Sequence, residues 1–133
     1  LYQRILEEGH SVGNHTYNHL KGRSCRTADY INDVEKAKKN IQSKLFRPPY
    51  GSLKMSQYRR LKKDYQIVMW DLLSYDFDPE VNCHESIDKL KKAKKGSIIV
   101  FHDSQKAFPQ LKEILPPLLA HWSKAYTFAA LNK

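Results

Sequence analysis

Short apolar runs alternate with amphipathic stretches along the chain. Tyr2 to Glu8 reads as the end of a helix, stopped by Gly9. "HSVG" is a short strand leading into a polar loop. In "DYINDVEKAKKNIQSKL", Tyr30, Val34, Ala37, Ile41 and Leu45 recur at helical spacing, with Thr27 as N-cap. "LFRPPYG" then leaves the helix. Pro48, Pro49 and Gly51 forbid regular helix, and Arg47, preceding a proline, is biased to extended geometry. "MSQYRRLKKD" reads as a short helix, "YQIVMW" as a buried strand and "DLLSYDFDPEV" as a loop. Asn82 and Glu85 resemble a capping box for "CHESIDKLKKAKK", a helix ended by Gly96. "SIIVFHD" is a strand with a polar end. Leu111, Ile114, Leu115, Leu118 and Trp122 mark a helix that Pro116 and Pro117 are expected to kink or split. "YTFAAL" closes the chain as a last strand.

This alternation predicts an α/β fold with a mostly parallel sheet. In such folds, functional groups gather at the carboxyl ends of the strands. Every polar cluster follows a strand candidate: "NHTYNH" the first, "RPPYG" the second, "DLLSYDFD" the third and "HDS" the fourth. The pattern therefore predicts one composite active site.

Composition narrows the class. The 133 residues suit a single domain, 1–133. The net charge of +9 is lysine-rich and lies mainly in "KAKKNIQSK", "RRLKKD" and "KLKKAKK". These runs read as solvated helix faces; no aromatic residues interleave with them, and no nucleic-acid partner is expected. No apolar run is long enough for a transmembrane helix. The N-terminus lacks the apolar core of a signal peptide and has no initiator methionine, as an internal piece of a longer chain would. Cys25 and Cys83 are not a CxxC pair; free thiols and one disulfide are both compatible with their spacing.

Five positions carry candidate chemistry. His15 and His19 stand four residues apart in a loop rich in small and polar residues, and imidazole pairs of this spacing can aim at one divalent metal. His102 ends an apolar strand, where it can donate or accept a proton. Asp76, like Asp71, lies in the loop after Trp70, and a carboxylate there can hold a histidine ring. Arg47 stands in a stiff segment suited to a fixed contact with a carboxylate.

Together, "GHSVGNHTYNH", "RPPYG", "DLLSYDF" and "IIVFHD" resemble, in order, motifs of the NodB-homology polysaccharide deacetylases, carbohydrate esterase family four. Phe77 stands where that family usually has tryptophan, and Phe101 where it usually has leucine. The resemblance implies a partial distorted (β/α) barrel of the polysaccharide deacetylase type, lacking the first strand-helix-strand. It implies metal-dependent removal of N-acetyl groups from the amino sugars of a peptidoglycan- or chitin-like polysaccharide. His15 and His19 would bind the divalent metal, most simply zinc, with cobalt or nickel tolerated, and Thr16 would support them. The Tyr50 backbone N–H would help hold the oxyanion, His102 would protonate the leaving amine, Asp76 would orient His102, and Arg47 would hold the catalytic base. Tyr75, Phe77 and Trp70 are candidates for stacking on a sugar ring, with core packing as the competing reading.

The family's aspartate-pair motif, which supplies the base and a carboxylate metal ligand, matches no segment of this chain. The expectation is a deacetylase domain incomplete at its N-terminus, working outside the cytoplasm or in the cell envelope. The alternative is a catalytically inactive, deacetylase-like domain that holds carbohydrate or metal.

Overall fold

The computed structural model describes residues 1–131. The elements run α1 (Tyr2–Glu7), α2 (Thr27–Lys38), β1 (Leu45–Phe46), α3 (Met55–Leu61), β2 (Gln66–Ile67), β3 (Leu72–Leu73), α4 (Cys83–Leu90), β4 (Ile99–Val100) and α5 (Phe108–Trp122). Both strand pairs are parallel: β1 with β2, and β3 with β4. The expected α/β class is thus present, with no closed barrel among the described residues. No described helix is long and apolar enough to cross a membrane. The chain divides into two compact units, the first built on Leu1–Met69 with the described end of the chain from Ala130, the second on Trp70–Ala129.

The first unit packs around aromatic rings. Tyr30 and Val34, one turn apart on α2, meet Phe46 of β1, Leu61 of α3 and Tyr65. Phe46 is the hub, edge-on to Tyr30 at 6.3 Å and tilted against Tyr65 at 5.7 Å. The Tyr30 hydroxyl is buried without a hydrogen-bond partner among the described residues, and burial pushes its pKa well above the usual tyrosine range. Gly9 (φ +81°) ends α1 as expected, with the His10 N–H returning to the Ile5 carbonyl at 3.0 Å. Gly22 packs directly on the chain after β1. A Cβ there would lie 2.2 Å from the Ser52 carbonyl oxygen and 2.7 Å from Oε1 of Gln57. The buried Gln57 closes this junction by donating to the Gly22 carbonyl at 2.9 Å and accepting from the Lys54 N–H at 2.8 Å.

The second unit packs α4 against α5, with Ile87, Leu90, Ala93, Ile114, Leu118 and Trp122 in its core. Asn82 caps α4 by accepting from the Glu85 N–H at 3.2 Å, as its spacing predicts. Both cysteines are free thiols. Burial, and then the charge of and a hydrogen bond with Glu113, push the Cys83 thiol up, away from nucleophilic use.

Several local expectations are corrected. The "HSVG" segment forms no strand; a single parallel bridge, Asn14 with Phe46, follows it. Helix α2 stops at Lys38, so Ile41 lies outside it and Leu45 opens β1; Arg26, not Thr27, is its N-cap. The Thr27 hydroxyl is engaged instead by Ser56 at 2.7 Å. Leu72 and Leu73, expected in a loop, form β3, because the Asp71 carboxylate takes the Ile98 N–H at 2.8 Å and starts the ladder. Helix α4 ends at Leu90, before Gly96, which instead serves a turn closed by the Ser97 N–H on the Lys94 carbonyl. Helix α5 runs through Pro116 and Pro117 as one element, so of the expected kink or split the split does not occur. Both prolines lie on its exposed side, so water can satisfy the carbonyls that lose an N–H partner. "YTFAAL" forms no strand: its backbone has no pairing neighbour among the described residues, and most of it is exposed.

Gly22→Ala is expected to destabilise the protein by about 1–3 kcal/mol, the usual range for forcing extra volume into a packed site. Urea unfolding would read this as a lower midpoint with an unchanged slope, whereas Gly9→Ala, whose Cβ meets open space, would act only through its backbone.

Candidate active site

Each unit carries one constellation of the expected residues, and each constellation sits just beyond the carboxyl end of a parallel pairing. In the first unit these are His15, Thr16, His19, Arg47 and Tyr50. In the second they are Tyr75, Asp76, Phe77 and His102.

The histidine loop begins at the Asn14 bridge. The Asn14 N–H donates to the Leu45 carbonyl at 2.8 Å, and its carbonyl accepts from the Arg47 N–H at 3.0 Å, so the loop leaves from a fixed point on β1. The fully buried Asn14 side chain donates to the Val34 carbonyl and accepts from the Thr16 N–H, both at 3.0 Å. Helix α2 grips the next residues. The buried Asp33 takes the Tyr17 N–H at 2.9 Å, the Asn18 N–H at 2.8 Å and the Asn18 side-chain amide at 2.5 Å. One turn on, the Lys36 ammonium lies over the Tyr17 ring, 3.8 Å from its centroid. The Thr16 hydroxyl accepts from the Leu20 N–H at 3.1 Å, closing the turn from within.

This scaffold brings His15 and His19 together, ring centroids 4.9 Å apart, with Tyr50 4.8 Å from His19. His15 Nδ1 lies 2.5 Å from the Arg47 carbonyl oxygen. A carbonyl only accepts, so the proton sits on Nδ1, and Nε2 is the ring's lone-pair nitrogen. That arrangement, one ring nitrogen donating to a carbonyl so that the other can ligate, is the usual support of a metal-binding histidine. His15 is thus held as a metal-binding histidine would be, with the His19 ring beside it. No group of three or more His, Cys, Asp or Glu able to hold an ion occurs among the described residues.

Arg47 is half-buried, and desolvation lowers its pKa from the ordinary arginine value. Its guanidinium donates to the Val68 carbonyl at 3.2 Å and the Met69 carbonyl at 3.4 Å, which anchors it to the chain leaving β2. Tyr50 has an exposed ring and sits in a tight turn after the two prolines.

In the second unit Asp76 has no exposed surface. Its Oδ2 accepts the His102 backbone N–H at 2.7 Å, and its Oδ1 meets His102 Nδ1 at 2.7 Å and the Ser74 hydroxyl at 2.8 Å. An ionised carboxylate only accepts, so neutral His102 carries its proton on Nδ1 and keeps its lone pair on Nε2; the side chain is 39% exposed. Phe77 packs edge-on against the His102 ring at 4.9 Å, with Tyr75 5.9 Å from Phe77. Tyr75 is exposed and Trp70 half-buried. Asp71 is committed to the start of the β3–β4 ladder.

Among the described residues, the non-glycine residues with positive φ are Thr16 (+61°), His19 (+53°), Tyr50 (+57°) and Tyr75 (+58°). All four lie in these loops. Left-handed backbone at such residues costs on the order of 1 kcal/mol or more each and persists where surrounding contacts enforce it, as is common at functional sites. Asn14 and Ser74 stand inside the motifs with no expected role, and Asp33 and Ser86 lie outside them. Asp33 and Ser86 left one trace, as polar residues on helix faces otherwise buried and apolar.

This architecture has close counterparts. Residues 1–70 match the Polysaccharide deacetylase family, and the chain belongs to that family. It is 32% identical over 145 residues to a peptidoglycan-N-acetylglucosamine deacetylase of Bacillus cereus, the match covering 100% of this chain and 67% of that protein. It is 30% identical over 119 residues to chitin deacetylase 1 of Saccharomyces cerevisiae, covering 77% of this chain and 39% of that one. The Xyl-CE4 domain of a multidomain xylanase, from the hindgut metagenome of Trinervitermes trinervoides, superposes with a TM-score of 0.80 at 25% identity, covering 97% of this chain and 65% of the domain. The chain thus spans two thirds or less of the length of these relatives, and its fold is that of the carbohydrate esterase family four proteins.

Asp33→Ala would remove the acceptor of the Tyr17 and Asn18 N–H groups; both residues are exposed, so water can replace it and the cost is roughly 0.5–1.5 kcal/mol for each hydrogen bond lost. Hydrogen exchange is expected to quicken at Tyr17 and Asn18 while the amides of α3 keep their protection.

Proposed function

We propose that this protein removes N-acetyl groups from the amino sugars of a polysaccharide, peptidoglycan- or chitin-like, releasing acetate and a free amine. Family membership supports the reading, as do the activities named for the two relatives. The observation that carries it is the buried Asp76 holding His102 through both its ring and its backbone. A histidine so held keeps one nitrogen for the reaction and cannot turn away from it.

In this reading His102, once protonated, gives the Nε2 proton to the departing amine as the C–N bond breaks. Asp76 keeps the ring oriented and balances the charge of the imidazolium. The Tyr50 backbone N–H donates to the oxygen that gains charge when water adds to the acetamide carbonyl. Arg47, already anchored on one side, would hold the carboxylate base that takes a proton from that water. Such a base, and a carboxylate ligand beside the histidines, belong to the aspartate motif that the resemblance expects upstream. His15 and His19 would hold a divalent metal, most simply zinc; when bound, it supplies Lewis acidity toward the carbonyl and lowers the pKa of attacking water. Exposed Tyr75, together with Phe77 and Trp70, would offer aromatic surface to the sugar. The substrate class carries with it a location outside the cytoplasm or in the cell envelope.

Acetate release from an N-acetylglucosamine oligomer, measured on the full-length protein, is expected to stop on chelation and to return with added zinc. His102→Ala is expected to lower kcat by about 10²–10⁴-fold, the range for losing a general acid. Turnover that survives both treatments would sink the reading.

A further inference from the structure

The hydrogen bonding around His102 does not end at Asp76. The Ser74 hydroxyl donates to Asp76 Oδ1 at 2.8 Å and accepts from the Asp76 N–H at 3.3 Å. Ser74 is itself fully buried; its N–H is taken by the Val100 carbonyl at 3.1 Å and its carbonyl by the Ser86 hydroxyl at 2.7 Å. Ser86 lies on the inward face of α4, only 6% exposed, one residue before the core residue Ile87. An unbroken buried chain therefore runs from helix α4 through Ser86, Ser74 and Asp76 to the His102 ring.

Each link has a physical reason. The Ser74 N–H makes the last hydrogen bond to β4, and Tyr75 then turns the backbone to φ +58°. The Ser74 carbonyl, buried at that bend, needs a donor from outside the sheet, and Ser86 supplies it. Oδ1 of Asp76 receives both the His102 ring and Ser74. Without the Ser74 hydroxyl, the carboxylate loses one of the three donors that fix its rotation relative to the imidazole, the one that does not come from His102 itself. We propose that Ser86 is a positioning residue: acting through Ser74, it sets the orientation of Asp76 and thereby keeps neutral His102 in the Nδ1–H form. The inference rests on the deacetylase reading for its use, but not for its geometry.

The test uses the full-length protein and two readouts. Nitrogen-15 NMR of the histidine rings reports the His102 tautomer, and steady-state acetate release reports kcat and KM separately. Ser86→Ala is expected to convert the single Nδ1–H form into a tautomer mixture. It should also lower kcat, by as much as ~100-fold if the ring shifts by about 1 Å, with KM unchanged. Ser86→Thr, which keeps the hydroxyl, should restore both. Ile87→Val, which loosens the same helix without touching the chain of hydrogen bonds, should alter neither. If Ser86→Ala does not fold, Ser86→Cys makes the same test, since a thiol fills the site but donates only weakly to the Ser74 carbonyl. A wild-type-like tautomer in the alanine variant overturns the proposal. So does a changed tautomer with unchanged kcat, because the chain would then serve only the fold. A wild-type protein without turnover would fail the deacetylase reading instead, and the NMR comparison would still decide the hydrogen-bond chain.

Discussion

A carboxylate taken out of water must be surrounded by donors, because the desolvation it suffers is offset only by hydrogen bonds. One such group organises the candidate residues of each unit. Asp33 collects two backbone N–H groups and a side-chain amide from the histidine loop. Asp76 collects a backbone N–H, a ring nitrogen and a hydroxyl around His102. The two acids do the same physical work. Neither lies on a strand; each fixes a bend of chain beyond a strand end, where the sheet can no longer pair the backbone.

The strands explain why such fixing is needed. Each is only two residues long. Short parallel pairings contribute little by themselves, so the loops beyond them inherit little rigidity from the ladder. Helices supply it instead: α2 through Asp33 and Lys36, α4 through Ser86. The left-handed backbone at Thr16, His19, Tyr50 and Tyr75 is the counterpart of this bracing. Strained conformations survive only where contacts over-determine them, and here they re-aim the chain around the residues with the most chemistry to offer.

Much of this was legible in the chain itself. The α/β alternation, the parallel pairing, the Asn82 cap and the Gly9 stop all follow from local patterning and appear as expected. The motif residues could be named because their chemistry is carried by residue type: imidazoles in a polar loop, an arginine before two prolines, a histidine ending an apolar run. The errors share one cause. Strand length, the ends of α2 and α4, and the loss of the "YTFAAL" strand all depend on whether a partner or solvent satisfies the backbone, and local sequence does not say.

The sequence by itself therefore determined the class of fold, the family and which side chains carry reactive groups, because these depend on residue identity and short-range spacing. Only the tertiary structure decided how those groups are held. Asp33 meets Tyr17 and Asn18 from sixteen and fifteen positions away, Asp76 meets His102 from twenty-six, and Ser86 meets Ser74 from twelve. A hydrogen bond depends on distances of a few ångströms and on donor angle, and contacts between residues so far apart exist only once helices and strands have packed.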